Sequence, residues 1–97
     1  MKYLIVDGML PGTGIRDSVE GVYLAPEALG LLFELRSKLS NWLSRYEDEH
    51  YAQYEDRTVV ADLDSEGMEI CKLLKLEMPD IKVEYFSTAE MKRCLVE

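Results

Sequence analysis

Two runs of β-forming, largely apolar residues stand out along the chain, Lys2-Tyr3-Leu4-Ile5-Val6 and Thr58-Val59-Val60-Ala61. Apolar runs without alternation belong to strands covered on both faces, as in parallel sheets. The first ends at Asp7-Gly8, a turn signal. The second ends in Asp62-Leu63-Asp64, followed by Ser65, a good helix N-cap, with Glu66 and Glu69 placed where the helix dipole favours negative charge. This predicts a central strand that delivers Asp62 and Asp64 to the carboxyl edge of a sheet, with Asp7 beside them on the neighbouring strand. Between the two runs, Leu32, Leu35, Leu39, Trp42, Leu43 and Tyr46 recur three or four apart. That spacing predicts a helix from Leu31 to about Tyr46, with Trp42 in the core. Pro26-Glu27 reads as a first helical turn that Gly30 interrupts.

The remaining segments follow the same rules. Met9 to Gly21 holds Pro11, Gly12, Gly14 and Gly21 and reads as a surface loop. Val22-Tyr23-Leu24 is a short extended piece. Ser65 to about Met78 is a helix with Ile70, Cys71, Leu74 and Met78 inward, ended by Pro79-Asp80. Ile81 to Phe86 alternates, as in a strand nearer the sheet edge. Ser87-Thr88-Ala89-Glu90 has the form of a capping box. It predicts a last helix docked by Met91, Cys94 and Leu95. The order strand, helix, strand, helix, strand, helix implies crossovers and a mostly parallel sheet. The expectation is therefore a small single-domain α/β fold over residues 1–97. It has a mostly parallel three-stranded sheet, room for one extra short strand near Val22, and helices packed on it. Strand order and oligomeric state stay open.

Composition narrows the function classes. The chain has 97 residues, 47% of them hydrophobic, and a net charge of −8. A surface that negative opposes direct nucleic-acid binding, which needs Lys and Arg against phosphate. It suits a basic protein partner or a divalent cation. The two cysteines, Cys71 and Cys94, fall among apolar residues and read as buried, reduced thiols. One histidine and no CxxC give no zinc-ligand pattern. The opening apolar run is too short for a signal peptide, and no segment reaches the ~20 apolar residues of a membrane helix. The expected location is the cytoplasm.

Asp7, Asp62 and Asp64 at neighbouring strand ends could hold Mg²⁺ through oxygen ligands. Leu4-Ile5-Val6-Asp7-Gly8, with the later Val59-Val60-Ala61-Asp62-Leu63-Asp64-Ser65-Glu66-Gly67, resembles the Toprim domain of topoisomerases, primases and related nucleases. The resemblance covers about twenty residues. It implies a Mg²⁺ site on Asp62 and Asp64, with Asp7 in place of the family's acid–base glutamate, one methylene shorter. The apolar-Asp-x-Asp pattern is also similar to that of haloacid-dehalogenase-like phosphatases.

The second reading starts from Glu47 to Asp56, which holds five acids and two tyrosines in ten residues. Tyrosine offers amphipathic contact area, and carboxylates steer a basic partner. In size, charge and this segment the chain resembles the immunity proteins of bacterial toxin–immunity systems, contact-dependent growth inhibition among them. The resemblance implies a cytoplasmic protein that binds and neutralises a cognate toxin, of basic, nuclease type. It implies no catalytic residue, no resident metal, no cofactor and no membrane or nucleic-acid contact. The expected partner-binding residues are Glu47, Asp48, Glu49, Tyr51, Tyr54, Glu55 and Asp56. We take this binding reading as the leading one and the Mg²⁺-dependent enzyme as its alternative.

Overall fold

A computed structural model describes residues 2–9 and 12–96, with the side chains of Leu95 and Val96 outside the description. The expectations for Pro11 and for the Leu95 contact therefore lie outside the described residues.

Strand β1 (Tyr3–Asp7) forms where the first apolar run stands, and it pairs in parallel with β3 (Lys82–Ser87). Leu4 lies opposite Val83 and Val6 opposite Tyr85, so these four share one face of the sheet. A three-residue strand, β2 (Ile15–Asp17), runs antiparallel on the far side of β1. The last strand, β4 (Lys92–Val96), runs antiparallel on the far side of β3. The order is β2-β1-β3-β4. The sheet is thus mixed and four-stranded, which corrects the mostly parallel three-stranded expectation. The extra short strand near Val22 is reduced to a single bridge between Tyr23 and Arg16.

Two helices cover the Leu4/Val6/Val83/Tyr85 face. Helix α1 (Phe33–Tyr51) buries Leu35, Leu39, Trp42 and Tyr46 of the predicted stripe and half-buries Leu43, whereas Leu32 stands just before the helix and is 66% exposed. A 3₁₀ turn, Pro26–Leu29, precedes it and ends at Gly30, whose φ of 72° is easy for glycine. Gln53 and Tyr54, at φ 60° and 55°, turn the chain back into a helical hairpin. Asp56 then caps helix α2 (Arg57–Glu77), its Oδ1 accepting from the Val59 N–H at 3.2 Å.

The main correction lies here. Thr58 to Ala61 forms the first turns of α2, where a central strand was expected. The buried positions of α2 are Val60, Leu63, Gly67, Ile70, Cys71 and Leu74, an unbroken helical spacing that begins inside the supposed strand. Two adjacent valines cost a helix only tenths of a kcal/mol each. Burying Val60 and Leu63 in the core returns about 1.5–3 kcal/mol per side chain. Val59 and Thr58 are exposed, so this run has one buried face rather than two.

Gly67 lets α2 approach the sheet closely. A Cβ there would lie 2.2 Å from Cε1 of Tyr85. The centre of the core is Trp42, fully buried, with its indole N–H donating to the Leu63 carbonyl at 2.8 Å. Its ring packs against Tyr46 and Tyr85 at 5.3 and 6.2 Å between centroids.

The expected last helix is also corrected. Ser87 Oγ does accept from the Glu90 N–H at 3.1 Å, as a cap would. The same contact closes a turn instead, Met91 takes φ 55°, and the chain returns as β4. Pairing with the free edge of β3 satisfies a row of backbone groups that a helix would leave open. Cys71 is buried as expected, but Cys94 is exposed on β4. Among the described residues, no helix is long and apolar enough to cross a membrane.

Candidate functional site

The structure places the three aspartates of the enzyme reading in three environments. Asp7 pairs with Phe86 across β1 and β3, so its side chain leaves the sheet on the face opposite Tyr85. It is 0% exposed. Its Oδ1 accepts from the Tyr23 hydroxyl at 2.7 Å and the Met9 N–H at 3.2 Å, and Arg16 Nε stands 3.4 Å from Oδ2. Burial pushes the Asp7 carboxyl above its ordinary range against the Tyr23, Met9 and Arg16 contacts, which pull it down.

Asp64 points the other way, into the seam between helices and sheet. Its Oδ1 accepts from the hydroxyls of Tyr85 at 2.6 Å and Tyr46 at 3.1 Å, and its Oδ2 from Ser87 at 2.7 Å. Tyr46 in turn accepts from the Ala89 N–H at 3.0 Å. One carboxylate therefore ties α1, α2, β3 and the β3–β4 turn together. Burial, and then the carboxylate it donates to, push the Tyr85 hydroxyl far above its usual range. Burial likewise raises Tyr46. Chemically this is a fastened knot: every hydroxyl donates into Asp64, and the Ser87 oxygen also accepts from the Glu90 N–H.

Asp62, two residues before Asp64 on the same helix, is exposed on the outer side. Residues two apart on a helix do not share a face. Asp7, Asp62 and Asp64 are thus not brought together, and no cluster of three metal-ligating side chains occurs among the described residues. The cause is the helix at Thr58 to Asp64: a strand edge would have aligned Asp62 with Asp64, and a helix separates them.

The acidic segment has a different fate. Glu47 to Tyr51 form the last turns of α1, and Ala52 to Asp56 the connection to α2. Asp48, Glu55 and Asp56 are exposed, while Glu47 and Glu49 are half-buried. Neither flanking arginine pairs with these five acids. Arg45 reaches Glu66 at 2.7 Å and Asn41 at 2.8 Å, and Arg57 pairs with Glu90. The five carboxylates thus face solvent or cleft with no salt bridge among the described residues.

The two tyrosines separate. Tyr54 belongs to the fold: its ring meets Tyr46 edge-on at 6.0 Å, and its hydroxyl stands 3.1 Å from His50 Nδ1. Burial, then the charge of Asp64, raise its hydroxyl pKa. Tyr51 is 73% exposed, and its ring meets the His50 ring at 5.6 Å between centroids. Asp56 serves the α2 cap as well as the surface.

One contributor escaped the sequence reasoning. A cleft of about 240 Å³ between the helices is lined by Arg45, Asp48, Glu49, Val59, Asp62 and Leu63. The fold thereby adds Asp62 to the acidic surface, beside Asp48 and Glu49. Oε1 of Glu49 is buried there without a hydrogen-bond partner. The spacing Val60, Leu63, Gly67, read as helical, would have put Asp62 on the exposed face. Comparison with protein-family models, with curated proteins and with solved structures finds no match.

Proposed function

We propose that this chain is an acidic protein-binding module of the immunity kind, which binds a cognate basic toxin in the cytoplasm and neutralises it. The observation that carries the reading is the end of the helical hairpin. There, an exposed tyrosine, Tyr51, shares a segment with Glu47, Asp48, Glu49, Glu55 and Asp56, Asp62 lines a cleft with Asp48 and Glu49, and the two flanking arginines are held by Glu66 and Glu90 instead of by these acids. A toxin that acts on nucleic acid is positive where phosphate binds, and a carboxylate-rich end competes for that surface and accelerates encounter. Tyrosine at the centre of such a patch supplies rigid contact area of the type that anchors interfaces. The helical hairpin and its sheet hold this surface in one shape, so little ordering is needed on binding.

The test is association kinetics, by surface plasmon resonance, against the product of the adjacent gene at two salt concentrations. Replacing Glu47, Asp48, Glu49 and Glu55 together by glutamine should slow association and flatten its salt dependence, because long-range attraction acts before contact. Tyr51→Ala should mainly speed dissociation, by ~2 kcal/mol. Rates unchanged in both variants would remove the hairpin end from the interface. Absence of any binding would reject the immunity reading itself.

A further inference from the structure

A series of rings ties the hairpin end to the core. Trp42 and Tyr46 are buried, with ring centroids 5.3 Å apart. Tyr46 meets Tyr54 at 6.0 Å, Tyr54 meets His50 at 5.9 Å, and His50 meets Tyr51 at 5.6 Å. The planes of the last three pairs cross at 65°, 70° and 73°, the edge-to-face arrangement that ring quadrupoles favour. His50 Nδ1 also stands 3.1 Å from the Tyr54 hydroxyl, within hydrogen-bond reach. His50 therefore touches both the tyrosine that belongs to the fold and the tyrosine left in solvent.

The backbone supports the same series. Gln53 and Tyr54 stand at φ 60° and 55°. Glycine takes this region freely, whereas other residues keep it where their surroundings impose it. Here the Gln53 N–H donates to the His50 carbonyl at 3.0 Å and the Tyr54 N–H to the Glu49 carbonyl at 2.8 Å. The turn so closed brings the Tyr54 ring back against Tyr46 and His50. Adjacent residues of a helix do not face each other, so the His50 and Tyr51 rings meet because their side chains lean together. An exposed tyrosine without such a contact exchanges between rotamers, and ordering it on binding weakens the complex.

We propose that His50 is a positioning residue of the binding end: its ring fixes Tyr51 against the anchored Tyr54 and holds the anchor in one rotamer before a partner arrives. The gain in binding rests on the immunity reading; the ordering of Tyr51 does not. Substitution separates the two contacts of His50. Phenylalanine keeps a ring and loses Nδ1, whereas asparagine keeps a polar atom near Nδ1 and loses the ring. The first measurement uses the full chain alone: NMR couplings that report χ1 of Tyr51. They should show one dominant rotamer in wild type and in His50→Phe, and averaging in His50→Ala and His50→Asn. A merely structural role through the Tyr54 hydroxyl gives the reverse, rescue by asparagine and none by phenylalanine, and overturns the proposal. So does an averaged Tyr51 in wild type, or a Tyr51 rotamer that His50→Ala leaves unchanged. His50 is exposed, so all three variants should fold, with circular dichroism as the check. The second measurement is binding to the product of the adjacent gene. His50→Ala should weaken it about fivefold, the cost of ordering one side chain on binding, and His50→Phe by less than about twofold. Wild-type affinity in His50→Ala overturns the role in binding. If the wild-type chain does not bind that product at all, the immunity reading fails, and the couplings still decide whether His50 orders Tyr51.

Discussion

Gly67→Ala tests the central correction to the fold by the sign of its effect. In an exposed helix interior this change stabilises by about 1 kcal/mol, because alanine loses less backbone freedom than glycine. In this structure the new Cβ would stand 2.2 Å from Cε1, 2.6 Å from Cζ and 2.8 Å from the hydroxyl of Tyr85. Ordinary contact is about 3.5–4.0 Å, so helix or ring must give by more than 1 Å. Tyr85 has no freedom to swing: its hydroxyl is held by Asp64 at 2.6 Å and its ring packs edge-on against Trp42. Overpacking of a tight core costs about 1–3 kcal/mol, and the rigidity here puts it at the upper end. The net expectation is a loss of about 2 kcal/mol. For a domain of this size that corresponds to a fall in Tm of roughly 8–16 °C. The assay is urea denaturation followed by Trp42 fluorescence and far-ultraviolet circular dichroism, with Ser65→Ala as control. Ser65 is exposed on the same helix, and its replacement should raise stability by a few tenths of a kcal/mol at most. A Gly67→Ala variant as stable as wild type, or more so, would refute the close passage of α2 over Tyr85.

Two further outcomes follow from the half-buried Asp64 and the buried Asp7. Asp64→Ala removes the common acceptor of Tyr46, Tyr85 and Ser87 and should cost about 2–4 kcal/mol by chemical denaturation, with Asp64→Asn losing less because one oxygen acceptor remains; a loss below about 1 kcal/mol would sink the idea of a shared knot. Asp7 has its native pKa raised, with burial as the first cause, so its protonation stabilises the fold. That contribution is complete below the unfolded carboxyl value of about 3.9 and is lost as pH rises through the native value. Asp7→Asn should therefore gain on wild type in urea midpoint between about pH 4 and pH 7, whereas a difference that shrinks as pH rises would contradict the desolvated carboxylate.

The parts of the fold that were legible carry a single, unambiguous period. The runs predicted as strands at Tyr3 to Val6 and Ile81 to Phe86 fall on Tyr3–Asp7 and Lys82–Ser87, and Leu35, Leu39, Trp42 and Tyr46 mark a helix whose stripe could only face a core. The dense acids and tyrosines of Glu47 to Asp56 were legible from residue types alone. What failed were segments where two readings share the same residues. Thr58-Val59-Val60-Ala61 has local β preference and also the first buried position of a helix that continues to Leu74. Ser87 and Glu90 make the same hydrogen bond in a helix cap and in a hairpin turn.

By itself, then, the sequence determined the periodic elements, the size of the core, the net charge and the acidic end. Each of these depends on residue type and spacing along the chain. Tertiary structure decided the rest. It settled Thr58 to Asp64 as helix, because only that geometry buries Val60 and brings Leu63 into the core around Trp42. It made residues 92–96 a strand, because β3 offered an open edge. It sent Asp7 and Asp64 to opposite faces of the sheet, kept Tyr54 for the fold, left Tyr51 in solvent and brought Asp62 to the acidic cleft. The physical reason is the same in every case. Local preferences here differ by tenths of a kcal/mol per residue, while burying one large apolar side chain or pairing one sheet edge is worth several times that, and which residues can do so depends on partners far away in the chain.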